Sequence, residues 1–288
     1  MAPKRRNFIE NMLVPVYDGY FPEPTPPDFP ELRESPDGRE WTRTEEIFNE
    51  LKTGDFTRVE QLLEIYRRVE DGVLRATIRT LLGDAGTFSC FQRMREELEA
   101  ERKTEDEMAL YYYRDKAIHY GDAFVAWGML DAVPVILDNY LTLRLAKIRE
   151  IDLFPIYLSL MLERDWGLIS VEPPAEALED YLGLVMERYE ALRSQYGSGS
   201  ILVYNGELSG VRYFARRLAG DIGPKHRDEA ELRRHFEAST GMDCHDFYVG
   251  RSFQPLAAAK IAEEFLNSPE AAKYEDGVRY FFGHRIPD

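Results

Sequence analysis

The stretch from Phe56 to Gly86 constrains the fold more than any other part of this 288-residue chain. Its first half carries apolar residues at steps of three and four, the spacing that forms one face of an α-helix. A short polar break follows, in which Asp71 or Gly72 can cap the next helix. A second apolar stripe completes an αα-hairpin. The predicted apolar faces are formed by Phe56, Val59, Leu62, Leu63, Tyr66, Val69, Leu74, Ile78, Leu81, Leu82 and Ala85.

A hairpin of this kind buries one side of each helix, so further helices must pack against it. Other segments with helical spacing are Thr42 or Thr44 to Leu51, Phe88–Arg102, Thr104–Tyr120, Ala123–Leu130, Val133–Leu145, Ile151–Leu162, Ala175–Tyr196, Leu208–Ala219, Arg227–Ser239, Leu256–Leu266 and Pro269–Phe282. We expect Gly121 to end one helix and Asp122 to cap the next. Ile201–Gly206 is rich in strand-forming residues, but a lone strand cannot form a sheet, so an extended connector is predicted.

Helical hairpins recur roughly every 35 to 45 residues, a period within the range of helical repeat proteins. Val73–Gly86 resembles the second helix of a HEAT unit and departs from that pattern by about one residue in its tail. The resemblance implies an all-α, HEAT-like and right-handed array of helical hairpins, which is an α-solenoid. An irregular all-α domain is the alternative.

The N-terminal region differs from the rest because half of the sixteen prolines precede Asp37. Proline excludes helix across most of this region and favours extended segments. We predict that residues 1–42 form an extended proline-rich arm packed on the body, and that residues 43–288 form a helical repeat-like domain with a sub-boundary near 170–175 or 197–206. A proline-rich ligand for another domain is the alternative for the arm.

The net charge of −16 disfavours binding to nucleic acid or to an anionic membrane, since phosphate binding needs clustered lysine and arginine. A basic protein is a more suitable partner, although acidity can also serve solubility alone. No apolar run approaches the ~20 residues that span a bilayer, and the N-terminus lacks the apolar core of a signal peptide. We therefore predict a cytoplasmic protein.

No catalytic motif stands out. Cys244, His245 and Asp246 have the chemistry of a catalytic triad, but residues adjacent in sequence do not point at one another. His119 and Asp122 are spaced for one helical face, yet a metal site needs further ligands. We predict no catalytic residue, no metal, no cofactor and no enzymatic activity.

Two features suggest a surface for a partner. Acidic residues crowd the junction between the segments Phe88–Arg102 and Thr104–Tyr120, and they could dock a basic protein. In the second segment we expect Met108, Tyr111, Tyr112 and Ile118 to share the apolar stripe. Three consecutive tyrosines there must point in different directions, so at least one should reach solvent or a neighbour. Core packing of all three by flanking helices is the alternative. The predicted partner-binding residues are Glu99, Glu101, Glu105, Asp106, Glu107 and Tyr112.

Phe124–Gly128 leading to Pro134, together with Tyr280–Pro287, resemble segments of the all-helical immunity proteins of bacterial polymorphic toxin systems. The resemblance implies an acidic, cytoplasmic and cofactor-free protein that binds one cognate toxin and blocks its active site. An acidic inhibitor of a basic toxin would gain association rate from electrostatic steering. The alternatives are a small-molecule hydrolase with a site in the concave face and a general protein-interaction scaffold.

Overall fold

The computed structural model describes residues 26–103, 106–149, 151–164, 167–197, 200–220, 229–249 and 252–288. This part of the chain is predominantly helical, as the apolar spacing predicts. Its helices are α1 (Pro36–Leu51), α2 (Gln61–Arg68), α3 (Gly72–Ala85), α4 (Phe88–Glu101), α5 (Glu107–Trp127), α6 (Ala132–Leu145), α7 (Leu153–Leu162), α8 (Leu178–Tyr196), α9 (Val211–Gly220), α10 (Glu229–Thr240) and α11 (Pro255–Leu266). None of these helices has the length and apolar content needed to cross a membrane.

Short antiparallel hairpins interrupt the helices. Each has two residues per strand. The strands are β1 (Val203–Tyr204) with β2 (Glu207–Leu208), β3 (Tyr248–Val249) with β4 (Ser252–Phe253), and β5 (Tyr280–Phe281) with β6 (His284–Arg285).

The chain divides into two compact units. Unit 1 comprises the chain up to Thr87 together with Gly210–Pro287, and unit 2 comprises Phe88–Ser209 with Asp288. Unit 1 therefore contains α1–α3, α9–α11 and β3–β6, whereas unit 2 contains α4–α8 and β1–β2.

The hairpin predicted between Phe56 and Gly86 is confirmed as α2 and α3 in unit 1. Every residue predicted for its apolar faces is buried. Asp71 caps α3, since its carboxylate accepts hydrogen bonds from the backbone N–H groups of Val73 at 2.8 Å and Leu74 at 3.1 Å. The indole N–H of Trp41 donates to the same carboxylate at 2.8 Å, which fixes α1 to the start of α3.

Helix α1 begins earlier than predicted. Ser35, and not Thr42 or Thr44, is its N-cap, and the Ser35 hydroxyl accepts from the backbone N–H of Gly38 at 2.9 Å. Pro36 occupies the first helical position, where its missing N–H costs nothing. One of the prolines that suggested an extended arm, Pro36, is therefore the first residue of a helix. Before α1, the described part of the predicted arm is residues 26–35, which include a 3₁₀ turn at Pro26–Asp28, whereas residues 1–25 lie outside the described residues.

Unit 1 also contains packing between segments that are far apart in the sequence. The Arg234 guanidinium on α10 contacts the buried Asp84 carboxylate on α3 at 2.7 Å. Arg279 donates to the carbonyl oxygens of Gly86 and Gly83 just beyond and within α3. A stack of hairpins in chain order does not by itself predict these contacts.

In unit 2, Gly121 does not end a helix and Asp122 does not cap one, because α5 runs on to Trp127. A Cβ at Gly121 would lie 2.7 Å from the Tyr157 ring of α7, so this glycine serves close packing between two helices. Helix α5 ends at Gly128, whose φ of 61° suits a glycine C-cap. Phe91, Phe124 and Trp127 form a buried aromatic cluster.

Ile201–Gly206 is not a lone connector, because β1 pairs with β2. Asn205 and Gly206 form the turn with φ values of 52° and 71°, as in type I′ turns. Their backbone N–H groups donate to the carbonyl oxygens of Leu160 at 2.8 Å and Met161 at 2.9 Å. These are among the last carbonyls of α7, which lack partners within the helix. The hairpin turn thus caps the C-terminus of α7.

The predicted helix over Pro269–Phe282 is also wrong. A 3₁₀ turn at Pro269–Lys273 precedes the hairpin of β5 and β6. Its turn residues, Phe282 and Gly283, donate to the carbonyl oxygens of Ala238 at 2.8 Å and Ser239 at 2.7 Å on α10. This turn therefore caps α10 in the same way as the turn of β1 and β2 caps α7.

Replacing Gly241 with alanine should lower the free energy of unfolding by about 1–3 kcal/mol. Gly241 follows α10 with a φ of 71°, and a Cβ there would lie 2.8 Å from the Phe282 ring. Gly72→Ala is the matched control in unit 1, because a Cβ at Gly72 meets no atom within 4 Å. Urea unfolding followed by circular dichroism measures both variants, and equal midpoints would contradict the proposed collision.

Candidate protein-binding surface

An exposed apolar patch lies on the first turns of α5 in unit 2. Met108, Tyr111 and Tyr112 are 61%, 37% and 70% exposed. Residues three and four positions apart share a helical face, so these side chains form one continuous surface. The expectation that they belong to the buried stripe is wrong.

The rotation of α5 is set by a different stripe. Tyr113, Ala117, Tyr120 and Phe124 follow helical spacing and are all buried. The Tyr113 hydroxyl donates to the Asn139 side-chain oxygen on α6 at 2.6 Å, and burial raises the pKa of this tyrosine above its usual value. Because Tyr113 faces α6, Tyr112 is turned toward solvent.

Helix α4 holds α5 from another side. The Tyr120 hydroxyl donates to the Glu97 carboxylate at 2.7 Å. Lys116, one turn earlier on α5, contacts the Glu101 carboxylate and lies 3.9 Å from that of Glu97. Several anchors therefore fix the helix that presents the apolar patch.

The predicted acidic residues lie near the patch in sequence, but most are engaged locally. Glu99 pairs with Arg95 at 3.2 Å, and Glu101 pairs with Lys116. Asp106 is exposed and caps α5, accepting from the backbone N–H of Ala109 at 2.8 Å. Glu105 lies outside the described residues, as does the side chain of Glu107, the first residue of α5.

The cap at Asp106 affects any charge-reversal experiment. Replacing an N-cap aspartate costs about 1 kcal/mol of helix stability. A substitution by lysine there would weaken the start of α5 as well as change its charge. Asp106 is therefore unsuitable for testing electrostatic docking alone.

One cationic side chain lies beside the patch. Arg114 pairs with Asp115 at 2.8 Å and lies over the Tyr111 ring, 5.3 Å from its centroid. An apolar centre with a charged rim is the usual composition of a protein–protein interface. Of the sequence-predicted site residues, Tyr112 lies in the exposed apolar patch. The patch also contains Met108 and Tyr111, which the apolar spacing predicts to be buried.

Cys244 in unit 1 is buried, and burial raises the pKa of its thiol above the usual value. Its sulfur lies 3.7 Å from the carbonyl oxygen of Met242. The backbone N–H of His245 donates to the Asp243 carboxylate at 2.8 Å. Within the described residues, no group of three or more histidine, cysteine, aspartate or glutamate side chains could hold a metal ion.

Comparisons of the chain with protein-family models, with curated proteins and with solved structures find no match.

Proposed function

We propose that this protein is a protein-binding module, and that it acts as an immunity protein that neutralises a cognate toxin by direct binding without catalysis. The observation that carries the proposal is the exposure of Met108 and Tyr112 one turn apart on α5, at 61% and 70%. Large apolar side chains held in solvent on a rigid element are typical anchors of an interface, and tyrosine is enriched among binding hot spots.

The charge of the chain supports a basic partner. The net charge is −16. Glu96 and Glu99 are exposed on α4, the helix that precedes the patch in the sequence. Long-range attraction would bring a basic toxin to the surface, and the apolar patch would then hold it. In this proposal the bound module covers the active site of the toxin in the cytoplasm.

The helical architecture provides a rigid support for such a surface. In unit 2, each of α4 to α7 packs on the next helix along the chain. Packing between successive helices is characteristic of repeat arrays, whose extended surfaces bind proteins. A HEAT-like arrangement of the helices in unit 2 is part of the proposal.

The double variant Met108→Ser and Tyr112→Ser should weaken binding to the toxin at least about tenfold, since a single hot-spot residue contributes about 2 kcal/mol or more. The partner to use is the protein encoded by the neighbouring open reading frame, and biolayer interferometry measures the association and dissociation rates. The association rate should fall as salt is added, because the Debye length shortens. The same variant should lose protection in cells that express the toxin.

Leu168→Ser is the matched control, because Leu168 is 79% exposed in unit 2 and lies outside the apolar patch. It should bind the toxin as the native chain does. The proposal is wrong if the neighbouring protein does not bind, or if the double variant and the control bind equally well while both keep their helical circular dichroism.

A further inference from the structure

An open groove of about 500 Å³ in unit 1 is rich in arginine. We call it the arginine groove and define it by its lining residues: Arg33, Glu34, Arg39, Thr42, Arg43, Glu46 and Arg58. Four arginines and two glutamates line it, although the whole chain carries a net charge of −16. The local excess of positive charge makes this groove a candidate site for an anion.

Helix α1 supplies four of the seven lining residues of the groove. Arg39, Thr42, Arg43 and Glu46 are spaced by three and four residues, so they share one face of the helix. At 1.5 Å per residue, this face extends over roughly 10 Å. Arg33 precedes α1 and Arg39 lies in its first turn, where the helix dipole also favours negative charge, and Arg43 follows one turn later on the same face.

The segment before α1 supplies Arg33 and Glu34 to the lining of the groove. A Cβ at Gly38 would lie 2.1 Å from the carbonyl oxygen of Leu32 and 2.7 Å from that of Arg33. The backbone of this segment therefore lies directly against the first turn of α1. The Arg33 side chain is held as well, because its Nε donates to the carbonyl oxygen of Pro27 at 3.1 Å.

Arg39 and Arg43 also donate hydrogen bonds to neutral oxygen atoms. Arg39 donates to the carbonyl oxygen of Glu34, and Arg43 donates to the Gln61 side-chain oxygen at 2.9 Å. Among the described residues, neither forms an ion pair with a carboxylate, and the same is true of Arg33. Arg58 differs, since it pairs with Glu50 at 2.6 Å and with Glu46 at 3.7 Å. Three guanidinium groups are thus positioned by neutral acceptors and keep their charge available to a ligand.

We propose that the arginine groove binds a small molecule that carries a diphosphate or triphosphate. The planar guanidinium donates two parallel hydrogen bonds to phosphate oxygens, and such charge-assisted bonds are about twice as strong as neutral ones. A linear chain of phosphates can engage Arg33, Arg39 and Arg43 together, whereas a single anion engages fewer of them. The volume of the groove lies in the range of small-molecule sites. This inference is independent of the proposed toxin binding.

Isothermal titration calorimetry at low ionic strength tests the proposal with pyrophosphate, ATP, adenosine and inorganic phosphate. Pyrophosphate and ATP should bind, adenosine should not, and inorganic phosphate should bind more weakly than pyrophosphate. The double variant Arg39→Gln and Arg43→Gln should weaken the binding of pyrophosphate at least about tenfold, because it removes two charge-assisted contacts. Circular dichroism checks that the variant stays folded.

The matched control is the double variant Arg188→Gln and Arg216→Gln, which removes the same charge from two exposed positions outside the groove. It should bind pyrophosphate as the native chain does. Equal weakening in both double variants would show that net charge alone matters and would overturn the proposal. It is also overturned if hexaglutamate binds as tightly as pyrophosphate, which would identify an acidic protein segment as the better ligand.

Discussion

Replacing Glu237 with alanine should lower the free energy of unfolding by about 3–5 kcal/mol, because removal of one partner of a buried ion pair leaves the other charge uncompensated. The Glu237 and Arg233 side chains are 0% and 3% exposed, and they pair at 3.1 Å one turn apart on α10. Glu237 also accepts from the backbone N–H of Cys244 at 3.4 Å. The substitution therefore removes an interaction with the segment that follows α10 as well.

Lys260 and Glu264 provide a control with the same spacing in the same unit. They are 75% and 67% exposed on α11 and lie 3.9 Å apart. Glu264→Ala should change stability by less than about 0.5 kcal/mol, since exposed ion pairs contribute little. Urea unfolding followed by circular dichroism compares the two variants. If Glu237→Ala unfolds at the same urea concentration as Glu264→Ala, burial does not decide the strength of this pair.

Arg233→Met combined with Glu237→Leu separates loss of charge from loss of pairing. Apolar replacement of both members of a buried pair is often neutral or stabilising. The double variant should therefore recover most of the stability that Glu237→Ala loses. A double variant as unstable as the single one would show that the other contacts of these side chains matter more than the charge left behind.

Local signals predicted individual helices well where the structure depends on neighbours in the sequence. The hairpin of α2 and α3 was predicted with its buried residues because its two stripes and the Asp71 cap all lie within about thirty residues. Helices α4, α8, α10 and α11 were likewise predicted to within a few residues. The start of α1 was missed because proline was interpreted as excluding helix, although the first helical position tolerates it.

The hairpin turns were missed for two different reasons. Asn205-Gly206 is a strong signal for a two-residue hairpin turn, but Glu207 and Leu208 after it are not strong strand formers. Phe282-Gly283 gives a weaker signal, because phenylalanine rarely adopts a positive φ. Phe282 adopts a φ of 47° while its ring packs against Phe48 and Phe281, and its N–H caps α10. Such tertiary contacts are not visible in the local sequence.

The apolar patch shows how one boundary error changes a functional interpretation. If α5 ends before Gly121, the apolar spacing favours a buried stripe that contains Met108 and Tyr112. The full helix to Trp127 reveals the longer stripe through Tyr113 and Phe124, which turns Tyr112 outward. The arginine groove was not predicted at all. Arg39 and Arg43 share a helical face in the sequence, but their convergence with Arg33 and Arg58 depends on how separate segments pack.

Stability should also fall in acid because of His235 on α10. Burial is the main cause that lowers the pKa of this histidine from 6.5 to about 4. Asp84 opposes that shift, whereas Arg234 and Arg279 add to it. The imidazole stacks on the Phe214 ring with 4.6 Å between their centroids. The folded protein therefore holds this side chain neutral at pH values where the unfolded chain already binds a proton.

The direction of the pH dependence follows from this difference in proton binding between the folded and unfolded states. Between pH 6.5 and about 4 the unfolded state binds more protons, so the contribution of His235 to stability is complete above pH 6.5 and is lost as the pH falls toward 4. At about 1.4 kcal/mol per pKa unit, the loss amounts to about 3 kcal/mol. Urea unfolding at a series of pH values measures this loss of stability.

The variant His235→Phe, which keeps a stacked ring, should flatten this part of the plot of stability against pH, whereas His245→Gln at an exposed position should leave it unchanged. An identical acid slope in His235→Phe and the native chain would assign the loss to other groups.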